Sequence, residues 1–179
     1  FRITWRPWGN VTFISRYDYQ FSTVDTRGDV NAYGIQLAKI QSSEATTHIL
    51  SESITWTPMN RLFVTGNVNI TWDQLATPAY AFVLNSDNNY VNGSIGGGYA
   101  FAKLDDVYFD YSFFQANNFV DNSALSLPYG ADRKLQGTYV TWVRRQTEHL
   151  IYTFKYGYVT NRDVTWAGRN NFDAQVLYA

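Results

Sequence analysis

Cysteine is absent from this chain of 179 residues, which excludes a disulfide framework, a thiolate metal site and a cysteine nucleophile. Charge is scarce, and 14 Lys and Arg against 15 Asp and Glu leave a net −1. No basic field therefore points to nucleic acid, and no acidic tail to a cationic partner. There are four prolines, and the pattern of the chain places all of them (Pro7, Pro58, Pro78, Pro128) in connections, as strand chemistry demands. No run of 18 consecutive apolar residues occurs, so no transmembrane helix is predicted. An initiator Met and a signal peptide are also missing. The chain opens Phe1-Arg2-Ile3-Thr4-Trp5, already in strand-like alternation, which predicts a processed or truncated chain.

Rings with polar tips are plentiful instead. Aromatics make up 18% of the residues, 14 of them Tyr. Apolar residues recur at period two, and no run at helical period stands out. In the segment Leu62–Asp73 one set of alternate positions reads Leu62, Val64, Gly66, Val68, Ile70, Trp72. The other reads Phe63, Thr65, Asn67, Asn69, Thr71. Segment 10–22 sets Val11, Phe13, Tyr17, Tyr19 and Phe21 against Thr12, Arg16, Asp18 and Gln20. Segment 106–114 sets Val107, Phe109, Tyr111 and Phe113 against Tyr108, Asp110 and Ser112. The alternation predicts nine strands, at about 1–6, 10–24, 46–57, 61–73, 90–103, 106–117, 134–146, 148–161 and 170–179.

These strands belong to a repeat. Segments 3–19, 54–70, 98–114 and 139–156 each carry an aromatic residue (Trp5, Trp56, Phe101, Trp142) just before a tight turn, and each then launches a second alternating strand. The unit is a long hairpin used four times. Short connections alternate with long ones at about 25–45, 74–89, 118–133 and 162–169. Several predicted strands reach about 12–15 residues, whereas strands of soluble proteins cluster near ~5–6. A tilted membrane-spanning strand needs about 9–11. Rings gather near both ends of the strands, with Trp5, Trp8, Trp56, Phe101 and Trp142 by the turns and Trp72 and Trp166 by the loops. Trp and Tyr favour the membrane–water boundary, because the ring is apolar and its tip needs water. In lipid every backbone polar group must be paired internally, so a spanning sheet must close. The competing reading is a long-stranded soluble sandwich or lipocalin-like barrel with the apolar rows turned inward.

In its repeated hairpins, ring girdles and short turns set against long loops, the chain resembles Gram-negative outer-membrane β-barrel proteins of the porin type. The resemblance implies an all-β fold, an antiparallel transmembrane β-barrel with short periplasmic turns and long extracellular loops. It implies a single domain over 1–179, the bilayer of the bacterial outer membrane as partner, and no cofactor. Segment 170–179 is similar to a final strand, without the terminal aromatic usual in such barrels. Nine is an odd number where bacterial barrels are even, so the chain is expected to be the C-terminal part of a barrel of ten or more strands, or one strand is misplaced near 25–45.

The expected lumen-lining set is Arg16, Asp18, Asn67, Asn69, Asp110 and Lys155, with His149 beside a turn. Mixed charges on such a wall bias the passage of ions. Glu52 is off-pattern, since alternation sets it with Leu50 and Ile54 on the apolar side, where a bulge between 48 and 56 or a protein contact there would relieve it. The run Gly96-Gly97-Gly98 predicts either curvature of the sheet or a seat for a guest. For hydrolysis, His48 with Ser51 or Glu44 is the one grouping of note, and common residue types make it weak, so no catalytic and no metal site is expected. Three functions fit this reading. The first is a channel for small hydrophilic solutes. The others are a sleeve housing a partner such as a multihaem cytochrome, and a surface receptor or adhesin working through its loops. A second copy of the chain, or a periplasmic or extracellular protein, is a further partner on this reading.

Overall fold

The computed structural model describes residues 1–27, 39–78, 85–118, 132–163, 165 and 168–179. Among them there is no helix. The strands are β1 (Arg2–Trp8), β2 (Val11–Arg27), β3 (Lys39–Met59), β4 (Leu62–Ala76), β5 (Ser86–Asp87), β6 (Tyr90–Ala100), β7 (Asp105–Asn117), β8 (Asp132–Thr147), β9 (Leu150–Asp163) and β10 (Phe172–Tyr178). They form one antiparallel meander in the order β1-β2-β3-β4-β6-β7-β8-β9-β10, with β5 paired to the end of β4. The nine strands on this path are the nine that the alternation predicts, and the fold is compatible with a β-barrel.

The differences from the sequence pattern have local causes. β2 and β3 pair as far as Arg27 and Lys39 across a register shift at Val24/Asp25, so the hairpin runs well into the segment expected to be loop. Residues 28–38, within the stretch near 25–45 where the strand count allows a misplaced strand, lie outside the described residues. β5 is too short to show periodicity. Pro7 and Pro58 lie inside strand ends rather than in connections. The ladder tolerates them because register shifts between Trp5 and Trp8 and between Trp56 and Met59 leave both prolines unpaired, as their missing N–H requires. Pro78 follows β4 in a turn, and Pro128 is outside the described residues.

The register fixes two faces. Trp5, Phe13, Ile54, Gly66, Ile95, Tyr111, Thr138 and Tyr158 form one continuous row across eight strands. The next row toward the turns reads Val11, Trp56, Val64, Gly97, Phe109, Val140 and Tyr156. The opposite face carries rows such as Arg16, Ser51, Asn69, Asn92 and Phe114. The greasy rows are not packed on anything. Ile95 is 49% exposed and Phe109 45%, and Val11 is the only buried apolar side chain among the described residues. Among the described residues each strand touches only its sheet neighbours, and no second layer covers either face. The molecule exposes 12769 Å², where a compact monomer of its mass exposes about 8,900 Å².

The tilt of the strands can also be read from the register. Leu62 lies two residues beyond Val11, Asp105 two beyond Leu62, and Leu150 two beyond Asp105. Each of the four opens the strand after a short connection, so the turns step down by one residue per strand. With a rise of about 3.3 Å and a strand spacing of about 4.8 Å, turns that share one rim require a tilt of about 35°, the value typical of barrels. The nine-strand path also makes β1 and β10 run in the same direction. Direct pairing of the two would be parallel, and closure by antiparallel pairing alone takes an odd number of further strands between them.

Candidate functional site: the polar face

All six residues expected to line a lumen share one face, because their positions in paired strands have the same parity. Arg16 and Asp18, two residues apart on β2, form an ion pair with Nε 2.7 Å from the carboxylate. On β4 the Asn69 amide donates to Asn92 Oδ1 at 3.0 Å, and Asn67 reaches Ser94 Oγ at 3.5 Å. Asp110 leans over Gly96, where an added Cβ would come within 2.7 Å of its carboxylate. Lys155 Nζ stands 4.4 Å from the centroid of the Tyr139 ring. These groups are spread across the sheet and no three of them converge. Together they give this face its mixed polar and charged character.

The glycines of this face receive rings from the same sheet. A Cβ on Gly157 would sit 2.3 Å from Tyr139, and one on Gly98 would sit 2.5 Å from Phe63 and 2.7 Å from Tyr108. The register runs unbroken through Gly96-Gly97-Gly98, so no bulge occurs there. Rings and the Asp110 carboxylate of neighbouring strands occupy the space directly over Gly96 and Gly98.

The aromatic residues expected at the boundaries lie on the other face. Trp5 stacks on Phe13 at 5.4 Å, and Trp8, Trp56 and Trp142 lie near the turns. Trp72 sits toward the loop end of β4, and Phe101 lies in the connection before β7. The Trp142 indole N–H donates to Asp105 at 3.1 Å, which satisfies its polar tip. Trp166 lies outside the described residues. Glu52 stays in register with Ser15 and Val68, with no bulge between 48 and 56. Its carboxylate accepts a 2.7 Å hydrogen bond from Ser15 Oγ on the apolar face. His48 is on that face too, 2.6 Å from Tyr17 Oη. Ser51 points to the opposite face, and Glu44 is four positions along the strand, so neither completes the expected grouping with His48. His149 lies in the Glu148–His149 turn rather than on the wall.

At the loop end of the polar face lies a cluster that alternation did not single out. Arg133 Nε donates to Asn161 Oδ1 at 2.6 Å, and the Asn161 amide donates to the Asn170 carbonyl at 2.7 Å. Asp163 accepts from the Asn170 amide at 3.1 Å and from the Thr165 backbone at 3.0 Å. Its own N–H donates to Asn171 Oδ1 at 2.6 Å. Gly168, at φ 77°, permits the turn that folds 169–171 back over the end of β9. The clue in the sequence is the density of Asn and Asp near 161–173, which marks turn chemistry but not its partners.

No protein-family model, curated protein or solved structure matches this chain.

Proposed function

We propose that this chain forms wall of an outer-membrane β-barrel that passes small hydrophilic solutes. The observation that carries this reading is the sheet's two-sided character. One face is a broad field of exposed aliphatic and aromatic side chains with no covering layer among the described residues. The other holds Asn, Thr, Ser and ionised groups. In water such a face would drive association at once. Against hydrocarbon it is the favourable outward surface, and the polar face then encloses water. Strand lengths of 11 to 17 residues in β2, β6 and β7 and the tilt of about 35° suit a bilayer. Mixed charge on the inner wall fits passive, weakly selective passage.

Planar-bilayer recording with the purified, folded protein tests this reading. Stepwise conductance that is stable at low voltage is expected, and a folded, membrane-inserted protein that carries no ion current would count against a channel. Glu52 supplies a second check. A carboxylate on a lipid-facing row is costly, and Ser15 offsets only part of that cost. Glu52→Leu is therefore expected to stabilise the protein in vesicles against urea by on the order of 1 kcal/mol. A clear loss of stability in that titration would mean that the Glu52 row meets water or protein.

A further inference from the structure

The polar face changes character across the sheet. On β3 and β4 it reads Thr47, Ile49, Ser51, Ser53, Thr55 and Phe63, Thr65, Asn67, Asn69, Thr71. On β10 the residues in register with that face are Phe172, Ala174, Val176 and Tyr178, paired with Asn161, Val159, Gly157 and Lys155 of β9. The outward positions of β10 carry Asp173, Gln175 and Leu177, and Asp173 is held by Arg162 at 2.7 Å. The final strand therefore turns its apolar side toward the wet interior, which a wall built only for hydrophilic solutes does not call for. Phe172 to Tyr178 makes a strip about 20 Å long.

The loop end of this strip opens into a cavity of about 400 Å³, lined by Arg133, Arg169, Asn161, Asn170, Asn171 and Phe172, together with Asp163. Among the described residues Arg133 donates only its Nε–H, to Asn161. Arg169 makes no ion pair or hydrogen bond among the described residues. Asp163 is 8% exposed, and its two oxygens are taken up by Asn170 and Thr165. It offsets one positive charge and leaves the cavity with an excess of one. Two guanidinium groups with free N–H donors suit a carboxylate, which they can bind in a bidentate manner. A cavity of this size sits near the lower end for ligand sites.

We infer that the β8–β10 end of the polar face binds a small organic acid, with the carboxylate held at Arg133 and Arg169 and the hydrocarbon body laid along Phe172, Ala174 and Val176. The inference rests on the channel reading in one respect, namely that this face meets water. Lys155, in register with Tyr178 at the other end of the strip, offers the next cationic group along the path.

Benzoate is the probe. Its binding to the full chain, folded in detergent micelles, is measured by saturation-transfer NMR and by calorimetric titration. Benzyl alcohol, which has the ring but no carboxylate, controls for partition into the micelle. Benzoate is expected to bind at least about tenfold more tightly than acetate or benzyl alcohol. R133Q/R169Q should weaken it at least about tenfold, and Phe172→Ser several-fold. If R133Q disturbs the fold through Asn161, R169Q alone carries the test, since Arg169 has no polar partner among the described residues. Benzoate affinity unmoved by R169Q, or equal affinity for acetate and benzoate, overturns the inference. Conductance is read separately. A protein that binds benzoate as stated and carries no current refutes the channel and keeps the site, whereas a conducting protein without the stated binding keeps the channel and loses the site.

Discussion

Val140→Arg is expected to block insertion into lipid vesicles, while Asn69→Arg assembles nearly as well as the parent and shifts the channel toward anions. The two positions lie near the middles of β8 and β4, on opposite faces of the sheet. Val140 is 44% exposed, between Phe109 and Tyr156 in the adjacent strands. A guanidinium there meets no acidic neighbour in its row and costs about 2–4 kcal/mol at mid-depth of a bilayer. Asn69 is in register with Ser51 and Asn92, where an added cation stays wet and loses only the 3.0 Å hydrogen bond to Asn92, about 1 kcal/mol. Val68 is a poorer choice for the outward substitution, although it also lies mid-strand. It is in register with Glu52, and an arginine there gains a counter-ion that hides part of the cost. The measurement is the folded fraction after dilution from urea into vesicles, followed by reversal potentials for the variant that assembles. Equal loss of assembly in both variants would overturn the assignment of faces, and with it the channel reading.

Much of this arrangement is legible in the sequence, because strand parity is local. Once Asn67 and Asn69 are seen to alternate with Val68 and Ile70, their common face follows from the pleat alone. The same holds for Arg16 with Asp18 on β2, and for Val107, Phe109, Tyr111 and Phe113 on β7. What alternation cannot supply is the parity that relates one strand to the next. β10 shows this. Its apolar positions 172, 174, 176 and 178 are plain in the sequence, but which face they take depends on their pairing with β9, and a slip of one residue would reverse it. The structure turns them to the face that carries Lys155 and Asn161. Glu52 is the converse case. Its parity was legible, and the expectation of a bulge came from the cost of a carboxylate in an apolar row. Ser15, in register with it on β2, reduces that cost without any break in the ladder. In the sequence the Gly96–Gly98 run points to curvature or a guest seat, because the rings that cover it come from other strands, Phe63 on β4 and Tyr108 on β7. The Arg133–Asn161–Asn170 chain likewise joins three segments that only the fold brings together.

Gly157 is expected to be the least replaceable glycine of the polar face, with an effect that depends on Tyr139. The ring of Tyr139 lies across Gly157, so an added Cβ would fall 2.3 Å from one ring carbon and 2.5 Å from the next. Real atoms do not approach so closely, and the ring must lift. Lifting it also disturbs the Lys155 ammonium held 4.4 Å from the ring centroid, which contributes about 0.5–1 kcal/mol at an exposed site. Strain and repacking from an inserted methyl typically cost about 1–3 kcal/mol. Gly157→Ala should therefore lose about 2–4 kcal/mol in urea titrations of the vesicle-inserted protein. The ring lies on glycine backbone rather than in a closed core, so Tyr139→Ala alone should cost less, about 1–2 kcal/mol. The double variant separates steric conflict from general weakening. With the ring gone the alanine has nothing to strike, so the two losses should fall short of adding by about 1–2 kcal/mol, the coupling expected of side chains in direct contact. Simple additivity would show that Gly157 is needed for its backbone conformation rather than for the space it leaves. In that case the position of Lys155 against the Tyr139 ring on the polar face would need another cause.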